Sequence, residues 1–232
     1  VIAVASISRD EVDVIDLWIR HYLAEGIGRI YIADASQDGT RDILRQYDEV
    51  VLLEDDNQYC LQTEWMNRLS AMAGADGATW VVPADVDEFL YATDGRTIAD
   101  CLSDCPHPTL NARSFQHFDW STRCVEPQRL PKVIFQWSSE RQLSMGNHTV
   151  TGPPGVWDIV DLRELKYRSF EHFVTKVAAR NETLDPAAHA RGDGAHNIWL
   201  AQKGRQELEI EWQKMLQYPT IADPIPSHAQ IG

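Results

Sequence analysis

Thr79-Trp80-Val81-Val82-Pro83-Ala84-Asp85-Val86-Asp87-Glu88-Phe89-Leu90 passes from a β-branched and aromatic run to three acids, then back to apolar residues. The first five residues predict a buried strand that ends at Pro83. Residues two apart on an extended segment point the same way, so Asp85 and Asp87 are expected to face one ligand. Burying acids among apolar neighbours is costly without a cation or hydrogen bonds. Hard divalent cations such as Mn2+ or Mg2+ prefer such oxygens and leave positions open for phosphate.

Upstream, the chain alternates between strand-like and helix-like segments. Val1–Ile7 reads as a strand, and Asp10 is expected to cap a helix running to about Glu25, stopped by Gly26 and Gly28. Ile30–Ala33 is a second strand, followed by the turn formers Asp34-Ala35-Ser36-Gln37-Asp38-Gly39-Thr40, a helix to about Tyr47 and a strand at Val50–Leu53. A helix from about Leu61 to Ala73 leads into the Thr79 strand. This alternation predicts a parallel sheet with helices on its faces, and such sheets bind ligands at the carboxyl ends of their strands.

Downstream the pattern is less regular. Lys132–Trp137 reads as a strand, Gly152–Gly155 as a loop, Ser169 as the cap of a helix through Lys176, and Arg205–Leu216 as another helix. The segment from Pro219 to Gly232 is expected to be irregular.

Four blocks together resemble glycosyltransferase family 2-like proteins of the GT-A fold, in the branch that carries Asp-x-Asp-Glu-Phe. They are Arg9-Asp10-Glu11 with Trp18-Ile19-Arg20-His21-Tyr22; Ile30–Ala33 with Asp34-Ala35-Ser36-Gln37-Asp38-Gly39-Thr40; Asp85-Val86-Asp87-Glu88-Phe89; and Arg168-Ser169-Phe170-Glu171-His172-Phe173-Val174-Thr175-Lys176. The blocks occur in order and span about residues 1 to 176, roughly three quarters of the chain.

The resemblance implies an α/β fold, a GT-A-like three-layer sandwich around a mostly parallel sheet in a single domain. About residues 1–100 would form the nucleotide-binding half and about 101–232 the acceptor-binding half. It implies transfer, with inversion, of a sugar from a nucleoside-diphosphate donor, UDP-linked in the leading form, to a glycan or glycolipid hydroxyl, as in polysaccharide biosynthesis. Arg9, Glu11, Asp34, Ser36, Gln62 and Asp85 would line the donor pocket, and Asp85 and Asp87 would hold the metal. Two positions depart from the pattern, Asp10 and Ala35, where relatives carry Asn. Relatives also often carry a His before the late block. Glu164 stands near that place here, so either its carboxylate substitutes, or the role moves to His148, the candidate ligand, or to His196, or metal dependence is weakened.

An anionic diphosphate needs cations, and Lys132, Arg168 and Lys176 are the candidates. For the base that takes the acceptor proton, Asp119 beside Phe118 and Trp120 is the first candidate and Glu171 the second; Asp158 has similar surroundings. His189, Asp193, His196 and Asn197 form a polar cluster that suits an acceptor segment as well as a solvated loop. Two other classes stay open: a phosphohydrolase with Asp85 as nucleophile, and a non-catalytic carbohydrate-binding module.

The 232 residues carry 21 Lys+Arg against 35 Asp+Glu, a formal net charge of -14. That balance argues against a nucleic-acid partner, because a phosphate backbone would be repelled. No run approaches the roughly 20 apolar residues that span a bilayer, so the expected location is cytoplasmic, with peripheral contact at the membrane inner face allowed. Four cysteines without paired spacing are expected to be reduced thiols. The chain starts on Val1 rather than Met, which leaves room for a trimmed leader.

Overall fold

A computed structural model describes residues 1–55, 61–183 and 195–225. Strands β1 (Ile2–Ser8), β2 (Arg29–Asp34), β3 (Val50–Glu54) and β4 (Trp80–Pro83) alternate with helices α1 (Ile15–Ala24), α2 (Thr40–Leu44) and α3 (Gln62–Ala75). Then follow β5 (Glu88–Ala92), α4 (Ile98–Ser103), β6 (Thr109–Gln116), β7 (Thr122–Cys124), β8 (Lys132–Gln136) and β9 (Val160–Glu164). Helices α5 (Phe170–Thr183), α6 (Ala195–Ala201) and α7 (Arg205–Met215) and strand β10 (Thr220–Ala222) complete the described chain.

An eight-stranded sheet has the order β3-β2-β1-β4-β8-β6-β9-β5. Its first four strands are parallel, as the β-α alternation predicts, and β4·β8, β8·β6 and β9·β5 are antiparallel while β6·β9 is parallel. The period of two sorts each parallel strand between two cores. Val4, Ile30, Ile32 and Val82 face Trp18, Ile19, Tyr22, Leu44, Ile98 and Leu102 of α1, α2 and α4. Ala3, Ala5, Tyr31, Ala33 and Val81 face Met66, Leu69 and Ala73 of α3. Helices on both faces make three layers, each fully buried Ile or Phe contributing about 1.5–3 kcal/mol. A third core, Tyr167, Phe173, Val177, Leu200, Leu208 and Trp212, joins α5, α6 and α7.

Two expectations need correction, and one part of the fold went unread. Helix α1 begins at Ile15, because Asp10 has φ 57 and uses its carboxylate to accept from Gln37 N at 2.8 Å instead of capping. The tail is ordered at Thr220–Ala222, which pairs antiparallel with β7, and Ile225 is buried in the main core. Strands β5, β6 and β9, unmarked by clear periodicity, supply the far half of the sheet. Among the described residues, no helix is long and apolar enough to cross a membrane.

Candidate functional site

Strands β2, β1 and β4 are neighbours and parallel, so their carboxyl ends share one edge: Ser8 stands beside Asp34, and Ala5 beside Pro83. Beyond Pro83 the chain turns through Ala84–Asp87 into β5, with Glu88 N donating to Asp85 O at 3.0 Å. Three side chains of α1 grip this turn. Trp18 Nε1 donates to Asp85 O at 3.0 Å, Tyr22 Oη to Glu88 O at 3.0 Å and His21 Nε2 to Leu90 O at 2.7 Å. Leu165 N adds a bond to Asp87 O at 2.8 Å.

The tight turn gathers three carboxylates. One oxygen each of Asp85, Asp87 and Glu88 lies within 4.8 Å of the others. Asp87 and Glu88 are buried, while the Asp85 side chain is 27% exposed. Glu88 Oε2 accepts from Asp85 N at 2.9 Å. Glu88 Oε1 lies 2.7 Å from Lys132 Nζ, close enough for an ion pair but off the direction of a hydrogen bond.

Lys132 also donates to Asp85 Oδ2 at 2.9 Å. Val81 pairs antiparallel with Phe135, so three residues further along that register Lys132 comes level with Ala84. Burial alone would lower its pKa, but Asp85 and Glu88 outweigh it and hold the ammonium above the usual lysine range. Burial pushes Glu88 well above the ordinary carboxylate range; Lys132 opposes this, and the carboxylates of Asp85 and Glu164 add to it.

A second set of ion pairs comes from α5, whose start is capped by Ser169 Oγ accepting from His172 N at 3.1 Å. Lys176 Nζ lies 2.5 Å from Asp87 Oδ2 and 3.0 Å from Glu11 Oε1. Arg168 reaches Glu11 Oε2 at 2.7 Å and pairs with both oxygens of Asp13, at 2.7 and 2.8 Å. His172 lies beside Arg168 at 2.9 Å, and burial with the charges of Arg168 and Lys176 lowers its pKa to about 4.

The remaining donor-pocket candidates divide. Gln62 donates to Asp85 Oδ1 at 3.1 Å and accepts from Gly146 N at 3.2 Å, tying the turn to α3. Asp34 is fully buried: Oδ1 accepts from Ser8 and Ser36 Oγ at 2.5 and 2.6 Å, and Oδ2 from Arg41 Nε at 2.9 Å. Ser36 Oγ in turn accepts from Asp10 N at 2.8 Å. Arg9 lies in the bend after β1. His148 Nδ1 donates to Pro131 O at 2.7 Å, which leaves Nε2 as the unprotonated nitrogen, the form a metal ligand needs. It is not one of the three groups gathered at the turn. Glu164 faces Glu88 across the β5·β9 register, and its Oε2 accepts from Ser114 Oγ and Gln128 Nε2.

Both candidate bases are otherwise engaged. Asp119 Oδ1 accepts from Ser121 N and Thr122 N at 2.6 and 2.8 Å, and Oδ2 from Thr122 Oγ1 at 2.8 Å. Its pKa lies below the ordinary carboxylate value: burial raises it, but these donors outweigh burial. Glu171 is exposed on α5 and paired with Arg205. Among the described contacts neither touches the acidic turn. Asp158, at φ 68, pairs with Arg113 at 3.1 Å. His189 and Asp193 lie outside the described residues, and His196 and Asn197 fall in α6.

Sequence reasoning did not single out Asp13, His172 or the Trp18–His21–Tyr22 grip as parts of the site. The spacing carried a signal: Arg168, His172 and Lys176 recur every four residues, one face of a helix. A concavity of 280 Å³ at the amino ends of β1 and β2, lined by Val1, Arg29, Tyr31 and Asp76, holds none of these groups.

No family model matches the chain, and no curated protein matches it. Among solved structures it is similar to residues 1–349 of S. aureus TarS in complex with UDP-GlcNAc, at TM-score 0.49 and 10% identity, over 80% of this chain and 68% of that one. It is also similar to HddC from Yersinia pseudotuberculosis, at TM-score 0.41 and 9% identity, over 75% of this chain and 96% of that one. Likenesses this distant carry no argument about function, which rests on the geometry of the site.

Proposed function

We propose that this chain transfers a sugar from a nucleoside-diphosphate donor, UDP-linked in the leading form, to a hydroxyl of a glycan or glycolipid, with inversion at the anomeric carbon. The observation that carries this reading is the convergence of Glu11, Asp34, Asp85 and Asp87 with Lys132, Arg168 and Lys176 at the carboxyl edge of a parallel sheet. Nucleotides bind at that edge in open α/β sheets. The order of the blocks along the chain, which resembles glycosyltransferase family 2-like proteins, supports it.

The acidic turn fits a hard divalent cation. Its three carboxylate oxygens are close enough to share one ion, and among the described residues the buried Glu88 Oε1 has the Lys132 ammonium beside it but accepts no hydrogen bond. Asp85, Asp87 and Glu88 would hold Mn2+ or Mg2+, with His148 as a further candidate. When bound, the ion neutralises charge on the departing diphosphate. The chain's own residues do the rest: Lys132 and Arg168 supply positive charge, Gln62 fixes Asp85, and Asp34 and Glu11 would offer acceptors to the nucleoside once they give up the donors that now occupy their oxygens.

In this reading about residues 1–100 hold the donor and about 101–232 the acceptor, where the exposed rings of Trp120 and Trp157 offer faces for a sugar. Asp119 or Glu171 would serve as base only after giving up its present partners. The expected setting is the cytoplasm, including the inner face of the membrane, with no nucleic-acid partner.

Incubation with UDP-sugars, Mn2+ and water tests the reading. Slow release of UDP supports a transferase. Release of phosphate from simple phosphomonoesters supports the Asp85 phosphohydrolase instead, and neither activity supports a binding module.

A further inference from the structure

The ammonium of Lys176 bridges Asp87 of the acidic turn, at 2.5 Å, and Glu11 of the segment after β1, at 3.0 Å. It is therefore a cation already seated on one of the carboxylates that would bind metal. Lys132, by contrast, projects from β8 beside the turn, and its partners are Asp85 and Glu88. Lys176 reaches in from a helix outside the sheet, on a flexible four-carbon stem with three rotatable donors. All three carboxylates of the turn thus carry an ammonium, Lys132 on Asp85 and Glu88 and Lys176 on Asp87, and Lys176 is also held by a carboxylate outside the turn, that of Glu11.

A divalent cation coordinated by Asp87 stands about 2.0–2.2 Å from its oxygen, which brings it within a few ångströms of Lys176 Nζ. Like charges at that separation repel strongly in a buried site. One of the two has to move, and Lys176 has a place to go, because Glu11 holds it from the other side. Arg168 keeps Glu11 and Asp13 paired meanwhile, and among the described residues its buried Nη1 has no hydrogen-bond partner. Both α5-side cations thus have donor capacity for a phosphate oxygen once the metal is seated.

We propose that Lys176 is a resident counter-cation that competes with the divalent ion for Asp87, so that metal loading displaces its ammonium and frees it for the donor diphosphate. This inference rests on reading the acidic turn as the metal site. It orders the assembly of the site, with metal first and diphosphate second. In the metal-free chain the lysine contributes positive charge beside the buried Asp87 carboxylate.

The test titrates the metal-free full chain with Mn2+ alone, followed by calorimetry and by the loss of the free-ion paramagnetic resonance signal. Lys176→Met should bind Mn2+ on the order of tenfold more tightly than the parent chain, and Lys176→Arg, which keeps the charge, should show no gain. A second measurement needs no variant. Mn2+ should raise the rate at which Lys176 is acylated, read by mass spectrometry against the exposed Lys214, by several-fold. If the parent and Lys176→Met bind Mn2+ equally and the acylation of Lys176 does not change, the displacement idea is overturned while the metal site stands. If neither binds Mn2+, the metal reading of the turn is overturned and the inference falls with it.

Discussion

Trp18 Nε1 donates to the backbone carbonyl of Asp85 at 3.0 Å, so a core residue of α1 sets the position of the most exposed acid in the turn. The indole is fully buried and packs edge-on against Tyr22, which grips the same turn through Glu88 O. The Trp18–Tyr22 block therefore works as the mount for the acidic turn. Trp18→Phe keeps an aromatic ring but removes the donor and part of the volume. It should lower stability by about 1–3 kcal/mol and weaken UDP binding by more than a core substitution remote from the turn, such as Leu102→Ala on α4. Urea melts and calorimetry check both; equal effects on UDP binding would remove the mounting role.

Asp87 connects the turn to α5 and, in the proposed function, to the metal. Asp87→Asn keeps the shape and removes the charge, and Lys176 retains Glu11 as a partner. Mn2+-supported affinity for UDP should fall by at least about tenfold, while circular dichroism of the variant stays native. Unchanged affinity with Mn2+ present would end the assignment of Asp87 to the metal.

The parallel half of the fold was legible because its strands are buried on both faces and its helices follow at short, turn-rich intervals. The carboxyl-edge acids were legible for the same reason: a strand end is a place that periodicity can find. The far half was not. Strand β9 reads Val160-Asp161-Leu162-Arg163-Glu164, in which Asp161 is neutralised by Arg113 of the neighbouring β6 and Arg163 by Asp223 of the tail after β10, so charged residues sit where polarity suggests a loop. Asp119 shows the other limit. Its aromatic neighbours suggested sugar chemistry, whereas its carboxylate is taken up by the turn through Thr122. Lys132 was found as a cation, but its pairing with both Asp85 and Glu88 depends on an antiparallel register that only the assembled sheet defines.

Lys132 separates structural from chemical charge. Lys132→Met leaves Asp85 and Glu88 without their ammonium, a loss of about 3–5 kcal/mol at neutral pH for a broken buried pair. The pKa of Glu88 is raised in the folded state, so its contribution is present below its unfolded pKa and is lost as pH rises through the folded value. Removing Lys132 raises that value further. The deficit of the variant should therefore be larger at pH 8 than at pH 5. Denaturant melts of both chains at the two values measure it, and a deficit independent of pH would mean that Glu88 does not change its protonation between them.

His21 gives the fold an acid limit. It is buried against Phe89, donates Nε2–H to Leu90 O, and has its pKa lowered by burial from 6.5 to about 4. A base with a lowered folded pKa stabilises above its unfolded pKa, and that stability is lost as pH falls towards the folded value. The window is thus pH 6.5 down to 4, and a difference of about 2.5 pKa units corresponds to about 3 kcal/mol. His21→Gln keeps a donor for Leu90 O and removes the titration. The variant should be less stable than the parent at pH 7, and its disadvantage should shrink through that window, approaching reversal near pH 4. Parallel stability curves for the two chains between pH 7 and 4 would show instead that His21 is not the group that titrates. Because Leu90 lies two residues into the strand that starts at Glu88, a flattened acid limit in the variant would tie the pH tolerance of the fold to the mount of the acidic turn.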